Sequence, residues 1–237
     1  EDTLKANAIW RLCGEFVYTK PDSCIYYATT GFDLIKNPTI KKQFESSRNF
    51  DLRYFEIGLY SVSAIALSEQ RSDSLAVKMG LKALQLVENV KNIIRLTRVF
   101  LALGEIYQNI GEPAISLEYE KRVLPLTDEY AKQIAIASIG ACFYDLKQYD
   151  SALFYLHKID PKFEIGKNKP WPYPDTYLGN TYHKKGDYLK AISFYQSAVR
   201  KSIQSQLTQD LSQAYAGLAN SFKAIGKIDS GIVFANM

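Results

Sequence analysis

"LGNTYHKKGDYLKAISFYQSAV", residues 178–199, is the stretch whose reading decides the fold. Two apolar runs repeat there at helical spacing, and the polar "KKGD" between them, 184–187, reads as a turn. Gly179 lies inside the first run, where glycine costs a helix about 1 kcal/mol relative to alanine. A residue tolerated at that cost needs a packing reason. Ala191 stands twelve residues on, and a bulky residue, Tyr195, follows four beyond it. Small residues on both helices let the two backbones come within the usual separation of about 8–10 Å, which a side chain at the contact point would prevent.

The same phrase recurs along the chain. An aliphatic residue, a small residue and an aromatic three positions later appear in "FLALGEIY" (100–107), "IASIGACF" (136–143), "DTYLGNTY" (175–182) and "YAGLANSF" (215–222). The small residues are Gly104, Gly140, Gly179 and Ala219, spaced by 36, 39 and 40. Each is followed by a turn and, twelve residues on, by a second small residue: Ser116, Ala152, Ala191 and Gly231. Two weaker copies precede them, with Ala64, Ala76 and Ala83 as the small set in one and Cys13, Cys24 and Gly31 in the other. The stretch 37–50, "NPTIKKQFESSRNF", reads as an extended connection between them.

This phrasing resembles the tetratricopeptide repeat, W-x2-L-G-x2-Y followed by A-x3-F at a period near 34. The best copy is Leu178, Gly179 and Tyr182, then Ala191, Tyr195 and Ala198, with Asp175 where the pattern has tryptophan. The resemblance implies an all-α fold, a right-handed α-solenoid of about six antiparallel helix pairs in one array over 1–237. Its repeats would fall near 4–36, 53–88, 95–127, 131–161, 172–203 and 211–237. Neither helix of a pair buries its apolar face alone, so the pairs must stack. The last copy stops inside its second helix, which would leave Ile232, Val233 and Phe234 without a neighbour and implies a piece of a longer protein.

In such arrays the first helix of each pair lines a concave face. Carrying the family's register over gives Arg98, Glu105, Gln108 and Asn109 from the third copy and Tyr144 and Asp145 from the fourth. The fifth gives Tyr173, Thr176, Tyr177, Asn180, His183 and Lys184; the sixth gives Gln213, Asn220 and Lys223. The groove so defined is polar and aromatic, with a positive patch toward the C-terminal half. Asn180 and Asn220 hold one position in adjacent copies, where an amide offers both donor and acceptor to an extended peptide backbone. The family's clamp for chaperone tails needs a lysine four residues before that asparagine, and Thr176 and Ala216 stand there instead.

Other chemistry is thinly represented. The chain has two histidines, His157 and His183, too few for a metal site, and His183 has only Asp187 within a helical turn as a ligand partner. Nucleotide-loop, nucleophile-elbow and zinc-protease motifs do not occur, so no catalytic residue, metal or cofactor is expected. Cys13 and Cys24 fall on facing positions of the first copy, as a disulfide-capable pair or as small apolar packers. The formal net charge of +4 is spread without like-charge blocks, so no nucleic-acid partner is expected, and no apolar run approaches the roughly 18 residues of a membrane span.

"KPDSCIYYATTGFDLIKN" and "RSDSLAVKMGLKALQL" resemble repeat units of bacterial signalling proteins in which such arrays precede a membrane segment and a histidine kinase, or a helix-turn-helix regulator. That resemblance implies a non-catalytic scaffold binding a protein or extended peptide, the sensory part of a two-component protein with its kinase or regulator domain downstream. The alternatives are the signalling-peptide receptor of a helix-turn-helix regulator, or a general assembly or chaperone adaptor. Either a periplasmic or a cytoplasmic location fits.

Overall fold

Glycine-rich turns at a near-constant interval divide the chain into helix pairs. The computed structural model describes residues 2–46, 51–90, 92–126, 129–165 and 169–235. Its described residues form thirteen α-helices and one small hairpin, in two compact units, 1–131 and 132–237.

The first unit contains α1 (Asp2–Phe16), α2 (Pro21–Lys36), α3 (Pro38–Glu45), α4 (Leu52–Glu69), α5 (Asp73–Glu88), α6 (Ile93–Asn109) and α7 (Pro113–Val123). Local sequence starts these helices. Proline, whose missing N–H costs nothing in a first turn, opens α2, α3 and α7. Asp51 caps α4 by accepting from the Arg53 and Tyr54 amides, and Asn92 caps α6 by accepting from Arg95. Residues 38–45 are therefore helical, correcting the expected extended connection. Asn37 Oδ1 accepts from the amides of Thr39 and Ile40 and nucleates the turn, and Phe44 anchors the helix in the core. The rest of that stretch, 47–50, lies outside the described residues.

Unit 2 contains α8 (Glu129–Asp145, most of which falls in it), α9 (Tyr149–Leu156), α10 (Tyr173–Lys184), α11 (Tyr188–Ser205), α12 (Thr208–Ala224) and α13 (Ile228–Ala235). Between α9 and α10, Pro161, Pro170 and Pro172 interrupt helix formation, while Pro174 sits in the first turn of α10, where its missing N–H costs nothing. A hairpin of two short strands, β1 (Glu164–Ile165) and β2 (Lys169–Pro170), fills the gap, with Glu164 opposite Pro170 and Ile165 opposite Lys169.

The turns explain the period. Seven residues after each small residue, the chain enters the left-handed region: Arg71, Gly111, Lys147, Gly186 and Gly226, with φ between 58° and 83°. The next amide reaches back five residues, as in Glu112 to the Tyr107 carbonyl (2.8 Å) and Asp187 to the Tyr182 carbonyl (3.0 Å). The same bond joins Ser72 to Leu67, Gln148 to Phe143 and Lys227 to Phe222. This closure satisfies the last carbonyls of the first helix. The aromatic of the repeated phrase thus supplies the carbonyl that ends its own helix.

Within each pair the close contacts are symmetric about the turn, so the helices run antiparallel. A Cβ on Gly104 would meet Glu120, one on Gly140 would meet Leu156, and one on Gly179 would meet Tyr195 at 2.7 Å. The residue sixteen positions on fills each glycine notch. The small-to-small approach holds in the last pair, where a Cβ on Gly231 would lie 3.0 Å from the Ala219 carbonyl oxygen. Glycines also set contacts between pairs: Gly58 against Trp10, Gly80 against Leu103 and Gly217 against Tyr195. The expected all-α stack of helix pairs is what the described residues form within each unit.

Phe234 stacks on Phe222 (ring centroids 5.5 Å apart) and on Tyr215 (6.1 Å). Helix α12 covers it, contrary to the expectation that it lacks a neighbour, whereas Ile232 and Val233 are exposed. Cys13 and Cys24 are buried free thiols, and Cys13 Sγ donates to the Cys24 carbonyl oxygen at 3.7 Å. Packing and weak hydrogen bonding hold the pair, and no disulfide joins it.

Candidate functional site

In unit 2 the expected residues fall into three groups. The first is aromatic. Tyr173 and Tyr177, one turn apart on α10, have ring centroids 4.7 Å apart, and Tyr144 from α8 meets Tyr177 edge-on at 5.7 Å. Trp171, which the sequence reading did not select, stacks flat on Tyr173 at 5.4 Å. All four are half-buried. Burial pushes the Tyr177 hydroxyl above its ordinary range, so it stays a neutral phenol.

The second group is Asn180 with its support. The Tyr195 ring is wedged between the bare backbones of Gly179 and Gly217, and its hydroxyl donates to Asn180 Oδ1 at 2.7 Å. That bond fixes which way the amide points. Its Nδ2 has no partner among the described residues, so both donors are free, while one of the two lone pairs of Oδ1 is taken by Tyr195.

His183 forms the third group. Its Nδ1 lies 2.9 Å from the hydroxyl of Ser221 on α12, and its ring meets Tyr188 edge-on at 5.2 Å. Burial, helped by Lys184, lowers its pKa, which keeps the imidazole neutral. His183 links adjacent first helices. Lys184, Asn220 and Lys223 are exposed. Thr176 departs from expectation: it is buried, and its hydroxyl donates back to the Pro172 carbonyl (3.2 Å) instead of facing a ligand.

Unit 1 places Arg98 on the surface and Gln108 partly buried. Its most developed polar arrangement surrounds Glu105, four residues before the end of α6. The hydroxyl of Tyr18, from the turn after α1, donates to Glu105 Oε2 at 3.1 Å across 87 residues of sequence. Asn109 Nδ2 reaches Glu69 Oε1 (3.1 Å) and Ser68 Oγ (3.3 Å), and Arg71 donates to the Asn109 carbonyl at 2.8 Å. Burial raises the Glu105 carboxyl to about 7, opposed by the Tyr18 bond and reinforced by the charge of Glu69. Tyr18 and Glu69 carry no sequence signal for this role, because one lies in a turn and the other ends a helix. Of the four residues that the register gives for this copy, Arg98, Glu105, Gln108 and Asn109, this arrangement uses Glu105 and Asn109.

Among the described residues no three metal-ligating side chains cluster, and no helix is long and apolar enough to cross a membrane. What the two faces offer is hydrogen-bond donors, a partly buried acid and aromatic surface.

Comparison with known proteins places this architecture among tetratricopeptide-type helix-pair folds. A tetratricopeptide repeat is found at residues 178–200, the stretch containing Gly179, Asn180 and Tyr195. Among solved structures, a Rap protein complexed with Competence and Sporulation Factor matches with a TM-score of 0.68 at 16% identity, over 100% of this chain and 74% of that one. BtubC from P. vanneervenii matches with 0.65 at 16% identity, over 92% and 89%. A tetratricopeptide repeat protein from Parabacteroides merdae matches with 0.56 at 15% identity, over 98% and 77%. At such identities the likeness is one of fold. A search of curated proteins gives no significant match.

Proposed function

We propose that this chain is a non-catalytic scaffold that binds an extended peptide or a protein segment through the first-helix faces of its repeats. The observation that carries this reading is Asn180, whose oxygen accepts from Tyr195 while its Nδ2 donors stay free beside half-buried Tyr173 and Tyr177. Such a donor satisfies a backbone carbonyl of an extended segment, and the aromatic surface accepts its side chains. The site residues are Tyr144, Tyr173, Tyr177, Asn180, His183, Lys184, Asn220 and Lys223 in unit 2, with Arg98 and Gln108 as a separate set in unit 1. The Rap structure named above contains a bound factor, which supports the reading by analogy of fold. The sensory part of a larger bacterial signalling protein, of the histidine-kinase type, is the setting that the phrasing of 20–37 and 71–86 favours.

A random peptide display library panned against the chain tests the proposal. Selected peptides should lose at least tenfold in affinity against a doubly substituted Asn180→Ala, Asn220→Ala chain that melts like the wild type. Peptides that bind both chains equally, or the absence of any selected peptide, would rule out this groove.

A further inference from the structure

Four residues before the small residue of each copy stand Ile9, Tyr60, Phe100, Ile136, Asp175 and Tyr215. Five are bulky apolar or aromatic residues; the fifth copy alone has a carboxylate there. Asp175 is not displaced to solvent, since it is only 9% exposed and pairs with Lys201 Nζ of α11 at 3.0 Å. A nearly buried ion pair in place of a well-packed apolar residue is neutral or unfavourable for stability. Nor is the pair needed to join α10 to α11, which the Gly179–Tyr195 contact and the Asn180–Tyr195 bond already fasten.

Beside the pair a cavity of about 270 Å³ opens, lying wholly within unit 2. Phe163 and Trp171, in edge contact at 5.5 Å, line it together with Leu178 and Phe194. Its buried charged lining is Asp175 with the partly buried Lys201, and Ser197 is polar beside them; His157 and Asp160, both exposed, line it at the solvent side. Replacing a large ring by a short carboxylate leaves space. Phe163 and Trp171, instead of closing that space, line it with aromatic rings.

We propose that this cavity binds a free apolar α-amino acid. Its ammonium would sit on Asp175, whose buried Oδ2 lies 3.0 Å from Lys201 Nζ yet accepts no hydrogen bond, and its carboxylate on Lys201, whose ammonium carries three N–H donors. A zwitterion laid head to tail against an ion pair keeps every charge compensated, which a lone amine or a lone acid does not. The apolar side chain enters the aromatic wall. The volume lies just below the range of about 300–1,000 Å³ typical of drug-sized ligands, which suits one leucine- or phenylalanine-sized molecule. This site shares only Trp171 with the aromatic group described above, and its test does not depend on the proposed peptide-binding residues.

The experiment is calorimetric titration of the full chain with L-phenylalanine and L-leucine, beside N-acetyl-phenylalanine, which lacks the ammonium, and phenylalaninamide, which lacks the carboxylate. At least one free amino acid should bind one to one, with both blocked forms at least roughly tenfold weaker. Asp175→Phe, which restores the bulk of the other copies, should abolish binding without lowering Tm. Lys201→Met should weaken binding at least roughly tenfold in a chain that remains folded by circular dichroism. No heat and no rise in Tm with either amino acid up to about 10 mM would overturn the proposal. So would equal binding of a blocked form, or unchanged binding by Asp175→Phe or Lys201→Met.

Discussion

Alanine in place of Gly217 should destabilise the protein, although alanine is the better helix former. Its Cβ would lie 2.3 Å from Tyr195 Cε1 and 2.4 Å from Cζ, about 1 Å inside ordinary contact. The ring has little room to retreat, because it also packs on the bare backbone of Gly179, where a Cβ position lies 2.7 Å from Cδ1. Tyr195 is 2% exposed, and any shift also loosens its 2.7 Å bond to Asn180. Overpacking costs about 1–3 kcal/mol, a weakened hydrogen bond about 1, and the gain in helix propensity returns about 1. The net is a loss of about 2 kcal/mol, or about 4–8 °C in Tm for a chain of this size. Gly14 supplies the control: it is helical with nothing within 4 Å of a Cβ, so Gly14→Ala should gain up to about 1 kcal/mol. Thermal melts by circular dichroism compare the two. A Gly217→Ala chain as stable as the wild type, or both variants equally impaired, would refute the wedge. In a Tyr195→Ala background the Gly217→Ala penalty should vanish, and a double-mutant cycle measures that coupling.

Arg71 and Lys147 occupy the turn position that glycine holds in three other pairs, with φ of 58° and 59°. Relief of a left-handed strain of about 1–2 kcal/mol, less the backbone entropy of glycine, should leave Arg71→Gly and Lys147→Gly each stabilising by up to about 1 kcal/mol; chemical denaturation would show an unchanged or lower midpoint if the strain is absent. Glu105 binds its proton more tightly folded than unfolded, so its stability penalty is absent below its ordinary pKa and grows as pH rises toward about 7. Stability measured across that window should fall for the wild type and fall less for Glu105→Gln; parallel curves would exclude the effect. His183 works in the opposite sense, since its depressed pKa makes acidification below its ordinary range unfavourable to the fold, and His183→Asn should flatten that acid limb. The thiols of Cys13, Cys24 and Cys142 are all buried, so a thiol reagent should modify none of them until the protein unfolds, and stoichiometric native labelling would contradict the packing.

Much of the fold was legible because its determinants are local and periodic. Gly104, Gly140, Gly179 and Ala219 each announce a first helix, and the turn seven residues later falls where the backbone closes it. Helix α3 was missed because "NPTIKKQFE" lacks a repeat partner; its start depends on an Asn37 cap, a signal one residue wide. The candidate site was legible as a register on helices, which named Tyr144, Tyr177 and Asn180. What the register cannot supply is the direction of the Asn180 amide, which depends on Tyr195 fifteen residues away, or the reach of Tyr18 to Glu105. Glu120 shows the same limit: a charged residue fills the Gly104 notch at 1% exposure, where the analogous positions hold Leu156 and Tyr195. Tertiary context alone decides whether such a residue is surface or core.

The Tyr195 wedge also bears on how unfolding spreads. In a stack where each pair touches only its neighbours, cooperativity is carried by the interfaces between pairs. One ring held by glycines on α10 and α12, while itself belonging to α11, makes those three helices open together. Slowly exchanging amides in α10, α11 and α12 should therefore share one opening free energy, and in this chain α13, whose main packing among the described residues is on α12, should open at lower cost.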